Sequence, residues 1–175
     1  GDHRDLHSFP TRRSSDLVIP ETYRGTSLAT KTIGQEVNLE RAMAADGRFG
    51  GHFVSGHVDT VGKIKRLWTE DNATYIYISV ETEGLLFVAL KGSITIDGTS
   101  LTVFGVKEDG FIISLIPETK RATILGDKVQ GDIVNVEYDM LAKYMERMLS
   151  VKNNNTELEK ANLTEAKLQQ YGFMD

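Results

Sequence analysis

From Val18 onward, apolar and polar positions alternate in short bursts, the period-2 pattern of pleated strands with one buried face. The alternation predicts strands over Val54–Val58, Gly62–Trp68, Ala73–Val80, Ser93–Ile96, Ser100–Val106, Phe111–Ile116 and Asp132–Tyr138. They are rich in Val, Ile, Thr and Tyr, which suit a pleated, half-buried surface. Asp71-Asn72, Asp97-Gly98, Asp109-Gly110 and Gly131-Asp132 mark turns between them. Asp97-Gly98, set between SITI and TSLTV, is the strongest hairpin signal. Many short strands at such spacing predict an all-β sandwich or barrel, and closure into a barrel would remove exposed edges.

Helical patterning is sparse. Leu39–Ala45 reads as a short connector and Gly84–Leu90 as one or two helical turns. The end of the chain differs in kind. Met140, Leu141, Tyr144, Met145, Met148 and Leu149 recur at helical spacing and form one apolar stripe. Such a stripe needs a covering surface, either its own barrel or another subunit. Lys152–Thr156 is expected to break this helix, and Thr156–Gln170 to form a second one capped at Asn155 or Thr156. Residues 151–175 are expected to be mobile or loosely docked.

The pattern also repeats. Residues 18–40, VIPETYRGTSLATKTIGQEVNLE, align without a gap with residues 115–137, LIPETKRATILGDKVQGDIVNVE, at an offset of 97. Identical pairs include Ile19/Ile116, Pro20/Pro117, Glu21/Glu118, Thr22/Thr119, Arg24/Arg121, Thr26/Thr123, Leu28/Leu125, Gly34/Gly131, Val37/Val134, Asn38/Asn135 and Glu40/Glu137. Chance gives roughly 5–7% identity per position for average residue usage. The period is that of a whole small domain, not of a solenoid unit. The chain therefore reads as one complete copy preceded by the tail of another. The repeat fails before Val18: residues 1–17 lack the alternation of their counterparts, and Ser8–Leu17, SFPTRRSSDL, looks like a translated adapter oligonucleotide. Residues 1–17 are thus read as a non-native or disordered segment. They are no signal peptide, having no apolar stretch.

Composition narrows the function. A net charge of −5 argues against nucleic acid or an anionic membrane as partner. No run of 18 apolar residues exists to span a bilayer. With no cysteine there is no disulfide, thiolate metal site or cysteine nucleophile, which fits a cytoplasmic location. His52 and His57 are five apart, so on a continuous strand they would face opposite ways, which argues against a paired-histidine metal site.

The order and spacing of VNLERA (37–42), GGHFVSGHVD (50–59), KGSITIDGTSLTV (91–103), IPET (116–119), GDIVNVEYD (131–139) and KYMERML (143–149) resemble the riboflavin synthase family, over roughly Val18–Leu149. The resemblance implies two six-stranded Greek-key lumazine-binding barrels per full chain and trimers associated through C-terminal helices. On that basis residues 18–42 are the remnant of an N-terminal barrel, 43–138 the complete C-terminal barrel, and 139–175 a helical oligomerisation segment and tail. The family's opening Met-Phe-Thr-Gly segment has no counterpart here. The implied reaction is the dismutation of two 6,7-dimethyl-8-ribityllumazine molecules to riboflavin and 5-amino-6-(ribitylamino)uracil, the last step of riboflavin biosynthesis. It needs no metal or redox cofactor, because the electrons stay within the substrate pair. Its site lies between the N-barrel of one chain and the C-barrel of a neighbour, so this chain alone is expected to be impaired.

By the same resemblance Gly56, His57 and Val58 line the pteridine pocket, and an imidazole suits proton transfer near neutral pH. Without it His57 reads as an ordinary strand histidine. Ser100 and Thr102 share one strand face, with Leu101 on the other, and two hydroxyls on a face can bind the polar edge of a heterocycle. His57, Ser100 and Thr102 are the catalytic candidates. Ser93 is a candidate for the ribityl hydroxyls, and Lys91 for reaching the site across the subunit boundary. Ser114, Leu115, Ile116, Pro117, Glu118 and Thr119, with the partial twin Val18, Ile19, Pro20, Glu21 and Thr22, complete the two pockets. Proline there ends a strand and leaves backbone groups exposed. Gly34/Gly131 and Asn38/Asn135 are assigned to structure, Asn135 tying a strand to a neighbouring loop. Two other readings remain: a non-catalytic lumazine or flavin carrier on the same scaffold, and an oligonucleotide-binding barrel. The acidic charge and the lack of a basic aromatic face disfavour the last.

Overall fold

Six antiparallel strands close on themselves in the computed structural model, whose described residues are 18–39, 50–162 and 169 (side chains of 153–162 excepted). The strands are β1 (Thr60–Glu70), β2 (Ala73–Ser79), β3 (Ser93–Ile96), β4 (Thr99–Lys107), β5 (Gly110–Leu115) and β6 (Ile133–Tyr138). Around the barrel their order is β1-β2-β5-β4-β3-β6. Strands β3, β4 and β5 follow one another as hairpins and β6 returns beside β3, which is the Greek key.

Inward positions alternate along each strand. Ile64, Ile76, Ile78, Ile94, Ile96, Val103, Phe111, Ile113, Leu115, Val134 and Val136 are at most 1% exposed and fill the interior. Each such side chain contributes about 1.5–3 kcal/mol on burial. A six-stranded barrel filled this way has no lumen, so any ligand must sit on its outer wall. The Asp97-Gly98 hairpin forms as its sequence predicts: both residues have positive φ (45° and 80°), the mirror-image turn that matches strand twist. Inside the turn the Asp97 carboxylate accepts from the Asn135 backbone N–H at 2.7 Å, and Lys128 Nζ stands 3.4 Å from its other oxygen.

Six of the seven expected strands form. Val54–Val58 does not: residues 51–59 make an irregular strap, because Gly56 takes a φ of +76° and the backbone N–H groups of Ser55 and Gly56 go to the Glu137 side chain on the barrel wall. The expected turns at Gly84–Leu90 form as a 3-10 segment, Thr82–Phe87. Leu39–Ala45 falls almost wholly among residues 40–49, outside the described residues, as do residues 1–17.

Two short helices occupy equivalent places in the two copies of the repeat. α1 (Pro20–Gly25) and α2 (Pro117–Ala122) each start at a proline, which loses nothing by lacking an N–H there. Each is followed by a 3-10 turn, Ser27–Thr30 and Ile124–Asp127. Thr26 Oγ1 donates to Thr22 O at 2.7 Å and Thr123 Oγ1 to Thr119 O at 2.8 Å, so the repeat is one of conformation as well as sequence. Gly34 and Gly131 agree too, with φ of +93° and +99°.

α3 (Met140–Asn162) runs from the end of β6, its first turn capped by Asp139 Oδ1, which accepts from Leu141 N at 2.9 Å. The break expected over Lys152–Thr156 is absent: the helix is continuous through these residues. Asparagine weakens a helix but keeps its N–H, unlike proline, so the run need not end it. Residues 163–168 and 170–175, and with them most of the second helix's later half, lie outside the described residues. Leu141, Tyr144, Met145, Met148 and Leu149 are 55–73% exposed, so the barrel of the same chain does not cover the stripe.

Candidate functional site on the outer wall of the barrel

The outward residues of three adjacent strands form a polar row. Thr95 on β3 faces Ser100 on β4 and Glu137 on β6. One step along, Ser93 faces Thr102. Val103 faces Ile113, so Ser114 stands beside Thr102 on the same side of β5 and β4. The alternation expected for β4 is observed: Leu101 is in the core while Thr102 is exposed.

The strap lies across this row and is bolted to it. Glu137, 5% exposed, accepts through Oε1 from Ser55 N and Ser55 Oγ, both at 2.7 Å, and through Oε2 from Gly56 N at 3.1 Å. Three donors converging on one carboxylate satisfy a charge that burial would otherwise penalise. Further along, Asp59 N donates to Val136 O, and the Asp59 carboxylate accepts from Tyr138 N at 2.8 Å and from Lys143 Nζ at 2.9 Å. At the other end His52 sits over Thr95 and Ser100, with Nδ1 2.7 Å from Ser100 Oγ and Nε2 3.1 Å from Thr95 Oγ1.

His57 is held out into solvent between these anchors. Its Nδ1 lies 3.2 Å from Ser55 O, and a carbonyl only accepts, so in the neutral ring Nδ1 carries the hydrogen. Nε2 is then the basic nitrogen and is free to take a proton. Neither histidine is on a strand, so their relation follows from the strap and not from strand parity.

Lys91 occupies a left-handed turn (φ 64°) before β3 and carries its ammonium 3.7 Å from the centroid of the Phe104 ring. Phe104 stands at a bulge between Val103 and Gly105, contacts Tyr75 edge-on at 5.4 Å, and Tyr75 stacks on Trp68 at 5.3 Å. Bulges re-aim side chains in this way beside functional surfaces.

The remaining candidates divide. Leu101 and Leu115 point into the core, so only their backbones could meet a ligand. Ile116, Pro117 and Glu118 are exposed at the start of α2, where Glu118 pairs with Arg121, and Thr119 is half-buried. Val18, Ile19, Pro20, Glu21 and Thr22 belong to the α1 segment, and no hydrogen bond joins them to the strap or the polar rows among the described residues. Sequence reasoning missed Thr95, Glu137 and Asp59, and weighed His52 only as a metal ligand. The two-residue hairpin at Asp97-Gly98 carried a usable signal, since it alone sets Thr95 opposite Ser100. Among the described residues no group of three or more His, Cys, Asp or Glu could hold a metal ion, and no helix is long and apolar enough to cross a membrane.

Residues 55–139, which carry the His57 part of the strap and this filled Greek-key barrel, match the lumazine binding domain family. The chain is 50% identical over 156 residues to the riboflavin synthase of Bacillus subtilis (89% of this chain, 72% of that one). It is 43% identical over 166 residues to that of Actinobacillus pleuropneumoniae (95% and 76%). It belongs to the riboflavin synthase family. Crystal structures of LumP complexed with 6,7-dimethyl-8-(1'-D-ribityl) lumazine and with riboflavin share the fold, with TM-scores of 0.60 and 0.62 at 21% and 23% identity. Those alignments cover 69% of this chain and 64–65% of the LumP chains, under two thirds of their length.

Proposed function

We propose that the chain is a riboflavin synthase, a transferase that dismutates two molecules of 6,7-dimethyl-8-ribityllumazine into riboflavin and 5-amino-6-(ribitylamino)uracil. The observation that carries this reading is the 50% identity to a riboflavin synthase across the whole strap and barrel. The outer wall supports it chemically. A pteridine lying over Ser93, Thr102 and Ser114 would find hydroxyls for its polar edge and ribityl chain, and the free Nε2 of His57 for a ring-methyl proton. Holding two such rings together removes much of the entropy barrier to their reaction. The described residues contain one barrel wall, so the second ring needs a second barrel. In the proposed assembly that is the N-barrel of a neighbouring chain in a cytoplasmic homotrimer, with the exposed stripe of α3 as its seam. The chain alone would then turn over little substrate.

The test is a fluorescence titration with 6,7-dimethyl-8-ribityllumazine, followed by a turnover assay on a version extended to the relatives' full length. Saturable binding near one ligand per chain with riboflavin formed by the extended version is the expected result. Binding without turnover in the extended version would favour the second reading, a lumazine or flavin carrier, for which the LumP fold likeness is the motive.

A further inference from the structure

Both ring nitrogens of His52 are engaged by hydroxyls, Nδ1 by Ser100 and Nε2 by Thr95, and Thr95 is only 2% exposed. In a neutral imidazole one nitrogen donates and the other accepts. The two hydroxyls therefore take opposite roles. If Nδ1 carries the hydrogen, Ser100 Oγ accepts from it and its own O–H is left to point outward as a donor. If Nδ1 is bare, Ser100 donates inward and offers only lone pairs outward. Either way the hydroxyl no longer turns freely. Gly51 leaves room for it there, since any side chain at residue 51 would collide with the Ser100 hydroxyl.

We propose that His52 is a positioning residue: it fixes the donor–acceptor sense of the Ser100 hydroxyl towards the polar edge of a bound heterocycle, while buried Thr95 holds the ring's other nitrogen. This rests on the outer wall being the lumazine site. A group oriented before the ligand arrives costs nothing to order on binding, so the clamp strengthens binding without touching the ligand. His57, by contrast, has a single hydrogen-bond partner among the described residues and an open face, so the two histidines divide positioning from proton transfer.

The experiment is a fluorescence titration of the 175-residue chain and its variants with 6,7-dimethyl-8-ribityllumazine, with a thermal midpoint for each. In His52→Asn the amide stands where Nδ1 stood and still reaches Ser100; in His52→Gln it stands where Nε2 stood and reaches Thr95 instead. His52→Ala is expected to weaken binding about tenfold, the loss of one well-placed hydrogen bond. His52→Asn should recover most of that and His52→Gln little. In a Ser100→Ala background, His52→Ala should cost nothing further. Equal recovery by Asn and Gln, additive losses with Ser100→Ala, or binding by His52→Ala within twofold of the unsubstituted chain would each overturn the proposal. Should the alanine variant fail to fold, the Asn and Gln pair decides alone. No saturable binding by the unsubstituted chain removes the site reading and this proposal with it; binding that ignores His52 removes only the proposal.

Discussion

Asn135 on β6 accepts from the backbone N–H of Ser27 at 2.7 Å, and Asn38, its counterpart 97 residues earlier, accepts from the N–H of Ile124, the counterpart of Ser27, at 2.9 Å. Each copy of the repeat thus lends its asparagine to the other copy's 3-10 turn. The reciprocity explains why these asparagines recur in both copies without any chemistry. Asn38 also donates to Asp97 O at 2.8 Å, so the seam reaches the hairpin that carries Thr95 and Ser100.

The two exchanges should not be equal. Ser27 is 5% exposed, so Asn135→Ala strands a buried donor and should cost about 1–3 kcal/mol. Ile124 is half-buried and water can replace Asn38, so Asn38→Ala should cost less than Asn135→Ala. Asn135→Asp keeps the acceptor and should recover most of the loss. Urea midpoints give the order, and amide exchange at Ser27 should accelerate in Asn135→Ala alone.

Glu137 is the strap's principal bolt. Its replacement by Ala leaves Ser55 N, Ser55 Oγ and Gly56 N without their acceptor, and should cost about 2–3 kcal/mol while freeing the segment that presents His57. Glu137→Gln retains one oxygen for Ser55 but turns an N–H₂ group towards the Gly56 N–H, so it should fall between Ala and the parent. Lumazine affinity should follow the same order as the urea midpoints. Wild-type affinity in Glu137→Ala would show that the strap does not shape the site.

The barrel was readable because strand alternation and turn residues are local. Asp97-Gly98 alone dictates the β3–β4 register, and with it the pairing of Ser93 to Thr102. Ser100, Thr102 and Ser114 could be placed on a face for that reason. The strap could not be read, since Val54–Val58 carries a strand-like composition and it is distant Glu137 that captures the backbone donors of Ser55 and Gly56. Propensity says nothing about a carboxylate 82 residues away. The place of His52 is hidden for the same reason, because strand parity has no meaning in an irregular segment. The apolar stripe predicts α3, but the asparagine run expected to break it keeps its backbone N–H groups and leaves the helix continuous.

His57 is exposed and its one hydrogen bond is local, so its replacement should leave the fold intact. In a version extended to the relatives' full length, His57→Ala should lower turnover by about 10²-fold or more, the usual worth of a positioned acid–base group. His57→Asn can still donate to Ser55 O but has no basic nitrogen, so it should be as slow as the alanine variant. Steady-state turnover with thermal midpoints separates chemistry from folding. Unchanged turnover in either variant removes His57 from the mechanism.

Tyr138 brings its hydroxyl into the wall beneath the Thr82–Phe87 turn, against Phe87 and Gly84, where it has no hydrogen-bond partner among the described residues. Burial, aided by the nearby Asp59 charge, pushes its pKa up from 10.0 to about 12. Below pH 10 both folded and unfolded chains keep this proton. Between pH 10 and about 12 the unfolded tyrosine loses it while the folded one retains it, so the unfolded state binds fewer protons and stability falls as pH rises. Tyr77, whose bond to Asp109 also raises it to about 12, titrates in the same window, but that bond is open to solvent and contributes weakly. Tyr138→Phe removes an unsatisfied hydroxyl and the ionisation together. It should therefore be neutral or stabilising by up to about 1 kcal/mol at pH 8, with a growing advantage over the parent at pH 10 and 11. Urea midpoints of the two proteins at the three pH values test this. A loss of stability at pH 8 would mean that the hydroxyl has a partner after all, such as a buried water.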